Sequence, residues 1–199
     1  MREPPLTGIR VLLTRSASGN EAWKPVLEEV GARVSMLQTI ETVPLRANNA
    51  IRAALTKLPQ ADWLIFTSAA GINAFATHAS TVHVFPKVAV VGTETAQVAL
   101  AEGIPVSFIP TVASAKALAL ELPDPSDLEI LTFRGTRADD VLLEGLRVRG
   151  AHVTDVPIYD TQLLRTPDED VREAIELGDI DVIAFASPSA VEGFRKRVG

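Results

Sequence analysis

DWLIFTSAA, residues Asp62 to Ala70, is written a second time as DVIAFASPS, residues Asp181 to Ser189. Each version opens on Asp, runs through apolar residues to Phe, and breaks at a Ser followed by small residues. A short apolar run of this kind predicts a strand buried on both faces, handing over at the Ser to a helix. The two versions lie 119 positions apart, as from Ser68 to Ser187. Outward from them, the same offset carries Arg15, Gly31, Ala32, Val34, Thr42 and Phe75 onto Arg134, Gly150, Ala151, Val153, Thr161 and Phe194, without a gap. Chance identities scatter over many offsets, so the chain is an internal duplication, with a unit too long for a solenoid. It reads as two copies of one α/β module, and a cleft between two similar modules is a natural ligand site.

The rest of the chain follows the same alternation. Strands are predicted at Ile9–Thr14, Val34–Leu37, Lys87–Val91, Val106–Ile109, Leu128–Phe133 and Val153–Ile158, and in the two repeated runs at 62–67 and 181–186. Helices are predicted at Glu21–Val30, Ala47–Leu58, Ser68–Thr77, Thr93–Ala101, Ser114–Leu122, Val141–Val148, Val171–Leu177 and from Ser189 onward. Gly31, Gly103 and Gly150 mark helix ends. Strands alternating with helices predict a mostly parallel sheet covered on both faces. Pro-bearing segments at Gln38–Leu45, Pro123–Asp127 and Tyr159–Pro167 are candidate boundaries. Two of them bracket the repeat pair Thr42 and Thr161, which predicts that the chain crosses between lobes there. Val88–Leu122 of the first copy has its counterpart beginning near position 207, so the second copy is expected to lack its end at Gly199.

Hydrophobic residues at 47% and charged residues at 22% fit a globular protein, while 5% aromatics predicts an aliphatic core. The net charge of −6 gives no overall attraction to nucleic acid or anionic lipid, so an acidic ligand must be held by local donors. Without cysteine there is no disulfide, thiol nucleophile or cysteine-metal site. No run approaches the ~20 apolar residues of a membrane span, and Met1–Gly8 lacks a signal-peptide core, which makes the cytoplasm the expected location.

In parallel sheets, ligands bind beyond the carboxyl ends of the strands, where the following helix presents unpaired N–H groups. Three such junctions carry small or hydroxyl residues: Ser68 with Ala69 in FTSAAG, Gly92 with Thr93 and Thr95 in VGTETA, and Ser187 with Ser189 in FASPSA. They suit carboxylates or phosphates, and equally serve as plain helix caps. Arg15 and Arg134 each follow a buried strand at repeat-equivalent positions, placed either to clamp an anion or to form a structural ion pair. Tyr159, the only tyrosine, can give a proton to a leaving group or simply pack at a lobe boundary. The three histidines have no partners at ligand spacing and read as surface residues. Trp23 and Trp63 are expected to fill the core or a lobe interface. There is no GxSxG elbow, no GxxxxGK[ST] loop and no GxGxxG after the first strand, which disfavours a Rossmann-like nucleotide enzyme.

The ordered set VLLTR, EEVGARV, DWLIFTSAAGI, VAVVGTETA, LTFRG, GAHVTDVPIYDT and DVIAFASPSAV resembles the uroporphyrinogen-III synthase family along almost the whole chain. The resemblance implies two similar α/β lobes joined by a two-stranded connector. Lobe 1 would be 1–37 plus 166–199, truncated; lobe 2 would be 44–157; the connector would be 38–43 and 158–165. It implies a lyase that cyclises the linear tetrapyrrole hydroxymethylbilane, losing water and inverting ring D through a spiro intermediate, with no metal or organic cofactor. Tyr159 matches the family's connector tyrosine, which would assist departure of the hydroxyl. Ser68, Thr95 and Ser187 match its cleft-facing hydroxyls, and Arg15 and Arg134 match motif positions. The expected partners are the substrate, with eight carboxylates, and a transient contact with hydroxymethylbilane synthase. Neither nucleic acid nor membrane is expected, and the chain is expected to be a monomer. The alternative reading is a non-catalytic two-lobed binder of a small polyanion.

Overall fold

The computed structural model describes residues 3–199; Met1 and Arg2, with which lobe 1 is expected to begin, lie outside the described residues. In chain order the elements are β1 (Arg10–Leu13), α1 (Ala17–Glu29), β2 (Arg33–Met36), β3 (Ile40–Pro44), α2 (Asn49–Lys57) with a 3-10 turn at Leu58–Gln60, β4 (Trp63–Phe66), α3 (Ala69–His78), β5 (Lys87–Val90), α4 (Thr93–Ala101), α5 (Ala115–Glu121), β6 (Glu129–Gly135), α6 (Val141–Val148), β7 (His152–Leu163), α7 (Glu169–Glu176), β8 (Val182–Ala184) and α8 (Pro188–Val198). This is an α/β fold. It carries a three-stranded sheet of order β2-β1-β8 and a five-stranded sheet of order β3-β7-β6-β4-β5. The pairs β1–β2, β1–β8, β4–β5, β4–β6 and β6–β7 all run parallel.

The chain divides into two compact units: Met1–Thr42 with Thr161–Gly199, and Val43–Asp160. The passages fall inside β3 and β7, at the repeat-equivalent threonines Thr42 and Thr161. In the first unit, β1 from the start of copy one pairs with β8 from the end of copy two, Leu13 opposite Ala184. In the second, β6 from the start of copy two pairs with β4 from the middle of copy one. Each unit therefore joins half of one copy to half of the other.

The same atoms make both joints. Asp62 N–H donates to Glu129 O at 2.8 Å, and Glu129 N–H donates back to the Asp62 carboxylate at 2.9 Å. At the offset positions, Asp181 N–H donates to Arg10 O at 2.9 Å and Arg10 N–H to the Asp181 carboxylate at 2.8 Å. An Asp before the strand satisfies the first amide of its neighbour, which would otherwise lack a partner. Gly31 and Gly150 close α1 and α6 at φ +96° and +87°, a left-handed conformation that costs other residues more.

The larger core belongs to the second unit. All four residues of β4 are buried, and Phe66, Phe75 and Phe133 pack with ring centroids 5.0 to 6.3 Å apart. Burying each such side chain contributes about 1.5–3 kcal/mol. The first unit repeats the Phe66–Phe75 contact as Phe185–Phe194, at 5.3 Å. At the position of Phe133, however, it has Thr14, which donates to Ala184 O at 2.7 Å, and Phe185 stays 42% exposed.

Three expectations are corrected. Helix α1 begins a turn before Glu21, because Ser16 caps it by accepting from Gly19 N–H. Val106–Ile109 is no strand; a bridge between Ala89 and Phe108 forms, and Pro105 and Pro110 remove the donors that would extend it on either side. Strand β3, which periodicity does not give, overlaps the connector segment 38–43 that the resemblance implies and forms at a sheet edge, where Pro44 is tolerated. Strand β7 runs to Leu163, well past Ile158. Trp63 fills the core as expected, whereas Trp23 is 46% exposed.

Candidate functional site

In the second unit, β4 and β5 end side by side, Phe66 paired with Val90. Beyond β4, Ser68 caps α3: its Oγ accepts from Gly71 N–H at 3.1 Å and lies 3.0 Å from the Tyr159 hydroxyl. Ala69, the first residue of α3, adds a small side chain. Beyond β5, α4 starts after Gly92 with no side-chain cap, so its first N–H groups keep their capacity for an anion. Thr93 is exposed there, and Thr95 is buried.

Arg134, at the end of β6, is 4% exposed. Its guanidinium grips Asp155 with two bonds of 2.8 Å and also reaches Asp139 O and the Asp140 carboxylate. Burial pushes the Asp155 carboxyl up, but the bonds from Arg134 and from Thr132 at 2.6 Å outweigh it and hold it below the usual range. The bond to Asp155 raises the arginine in turn. This is the structural ion pair, one of the two readings open for Arg134. Its donors are turned onto the unit's own carboxylates, which corrects the reading of Arg134 as an anion clamp.

Arg15 is placed differently. The first-copy position equivalent to Asp155 is Met36, so no such grip is repeated. The Arg15 guanidinium instead lies over the Trp23 ring at 5.6 Å from its centroid. Leu13 pairs with Ala184, so the exits of β1 and β8 adjoin within the first unit. Ser16 caps α1, and Ser187 caps α8 by accepting from Ala190 N–H at 3.2 Å. With Pro188 at the first position of α8, Ser189 supplies the first N–H of that helix. These two helix starts and Arg15 border a cavity of about 160 Å³, lined by Arg15, Ser16, Ile40, Ala186, Ser187 and Ala190. A second cavity of about 280 Å³ lies along Leu13, Arg15, Trp23 and Ala184–Ala186.

The offset of 119 relates the two exits. Ser16, Ile40 and Ser187 correspond to Gly135, Tyr159 and Ser68. Where the first unit is open, the second holds the phenol. Ser16, Trp23, Gly135 and Thr136 were not anticipated. The cap Ser16 was legible from its place before α1, while the others depend on tertiary packing. Among the described residues no three His, Asp or Glu side chains cluster as a metal would need, and no helix is long and apolar enough to cross a membrane.

Residues 21–199 match the family model described as Uroporphyrinogen-III synthase HemD. A uroporphyrinogen-III synthase of Synechococcus elongatus is 30% identical over 98% of this chain and 76% of its own length. The porphyrin biosynthesis protein HemD of Ruminiclostridium josui is 27% identical over 96% of this chain and 39% of its own length. Among solved structures, a variant uroporphyrinogen III synthase of Thermus thermophilus shares the fold with a TM-score of 0.61 at 18% identity, over 96% of this chain and 77% of that one. The enzyme of Helicobacter pylori does so with a TM-score of 0.55 at 15% identity, over 94% and 77%. The chain belongs to the uroporphyrinogen-III synthase family.

Proposed function

From that membership we propose that the protein converts hydroxymethylbilane to uroporphyrinogen III, with Tyr159 donating the proton that lets the terminal hydroxyl leave as water. The observation that carries this is the Tyr159 hydroxyl, hydrogen-bonded to Ser68, the cap of α3, in the same unit as the uncapped start of α4. Serine can pass a proton to the phenol or orient it toward a leaving oxygen. Loss of water leaves a ring-methylene cation, which the ring D carbon attacks to give the spiro intermediate. Reopening of the spiro centre and reclosure at the free ring D carbon then invert ring D, and the proton lost from that carbon restores the one the phenol gave.

Substrate carboxylates suit the N–H groups of α4 after Gly92, at Thr93 and Thr95, those of α3 at Ser68 and Ala69, and those of α8 at Ser187 and Ser189. Arg15 adds a cation at the first-unit exit. With a net charge of −6, these local donors must work against the overall field. The reaction balances as a dehydration, so it calls for no redox cofactor, and catalysis rests on holding a flexible chain bent. We assign it to the lyases. In this reading 38–43 and 158–165 connect lobes of 1–37 with 166–199 and of 44–157. The protein works as a monomer in the cytoplasm, taking substrate from hydroxymethylbilane synthase.

The test supplies hydroxymethylbilane and measures type III against type I uroporphyrinogen relative to the spontaneous background. An excess of type III is expected. Type I product alone, with tight binding of the substrate, would establish the non-catalytic binder instead.

A further inference from the structure

We propose that Gly135 is a positioning residue for Tyr159: its missing side chain leaves the space through which the phenol reaches Ser68. The inference rests on the role given to Tyr159 above.

The register between β6 and β7 slips at this point. Arg134 faces Pro157, but Gly135 faces Tyr159, so β7 carries one extra residue, Ile158. Such a bulge redirects the side chains after it. Ile158 turns into the core and is fully buried, and Tyr159 comes to lie over Gly135. Thr136 N–H donates to Tyr159 O at 3.0 Å, and the Thr136 hydroxyl donates to the Asp160 carboxylate at 2.5 Å, so Tyr159 and the residue after it are both tied to Thr136.

A Cβ built on Gly135 would stand 2.8 Å from Tyr159 Cζ, 2.9 Å from Cε2 and 3.0 Å from the hydroxyl. These are the three nearest heavy atoms, and all belong to the reacting end of one ring. A phenyl ring cannot bend, so a methyl group there must swing the whole side chain away from Ser68. Gly135 is not among the residues of positive φ, so its backbone does not itself demand glycine. The repeat supports this assignment. The equivalent residue in the first copy is Ser16, which has a Cβ, and the residue equivalent to Tyr159 is Ile40; there the niche stays open as a cavity.

The test uses the whole protein labelled with ¹³Cζ-tyrosine, which gives one resonance because Tyr159 is the only tyrosine. Gly135→Ala should shift that resonance in the direction that Ser68→Ala does. It should lower kcat by roughly 10- to 100-fold with KM changed less than about twofold, the signature of a displaced catalytic group. Combined with Tyr159→Phe it should lower kcat no further than Tyr159→Phe alone. A second measurement avoids activity altogether: if the added methyl conflicts with the ring alone, Gly135→Ala/Tyr159→Ala should unfold at the same denaturant concentration as Tyr159→Ala. An unmoved resonance, or a methyl that destabilises equally with and without the ring, overturns the proposal. Wild-type turnover in Tyr159→Phe, with the resonance still moved by Gly135→Ala, would refute the role of Tyr159 and leave Gly135 as the residue that places it.

Discussion

Replacing Asp155 by Asn tests whether Arg134 is held structurally. The substitution keeps the shape of the side chain and removes its charge. The Arg134 side chain is 5% exposed and that of Asp155 22%, and two bonds of 2.8 Å join them. Removing one partner of a buried pair costs about 3–5 kcal/mol, because a desolvated charge is left behind. Asp140, 3.4 Å from the guanidinium and 68% exposed, retains part of the attraction. The loss should therefore lie near the low end, about 3 kcal/mol, which is roughly a hundredfold in the folding equilibrium. For a unit of about 120 residues this lowers the melting temperature by roughly 12 °C, at about 4 °C per kcal/mol. A Trp23→Phe background leaves Trp63, 4% exposed within the second unit, as the fluorescent reporter. Arg134→Met/Asp155→Leu removes both charges and should recover most of the loss. The Asp155 carboxyl is held below its ordinary value of 3.8, so its contribution is complete above pH 3.8 and fades only below it. Asp155→Asn should abolish that part of the acid sensitivity. A cost under about 1 kcal/mol, or a double variant as unstable as the single, would refute the reasoning.

Tyr159→Phe should lower kcat by about 100-fold or more, while loss of one hydrogen bond to Ser68 costs stability no more than about 1.5 kcal/mol; steady-state kinetics and denaturant titration read both, and unchanged turnover removes the phenol from the mechanism. Bonds from Arg10 hold Asp181 down to about 2 against its ordinary 3.8, so this joint of the first unit is intact above pH 3.8 and weakens as pH falls towards 2. Acid titration of Asp181→Asn, followed at Trp23, should lack that transition. Gly193→Ala would set a Cβ 2.2 Å from the Thr39 carbonyl, forcing α8 to move; a loss of about 1–3 kcal/mol is expected by thermal unfolding, and none at all would contradict the packing.

Much of the α/β alternation was readable because its signals are local. The helices at Thr93–Ala101 and Val141–Val148 appear at the bounds read from periodicity. Ser68, Ser114 and Ser187 each cap the helix they precede, since a hydroxyl three residues before an amide needs nothing else. Strand β3 shows in the resemblance and not in the periodicity, because Pro44 and Gln38 disguise a run of branched residues that gains its strand character at a sheet edge. Arg15 and Arg134 looked alike in sequence and differ in the structure, because Asp155 faces one copy and Met36 the other.

The sequence by itself determined that the chain is written twice, that strands hand over to capped helices, and that one tyrosine stands near the second crossing. Each of these is settled by residues within a few positions of one another or by a constant offset. Only the tertiary structure decided that β1 pairs with β8 and β4 with β6, that Arg134 is locked to Asp155, and that Tyr159 passes over Gly135 to Ser68. Arg10 and Asp181 are 171 positions apart, Ser68 and Tyr159 91 apart. Contacts across such distances are selected by the packing of the whole unit and leave no periodic trace in the residues that make them.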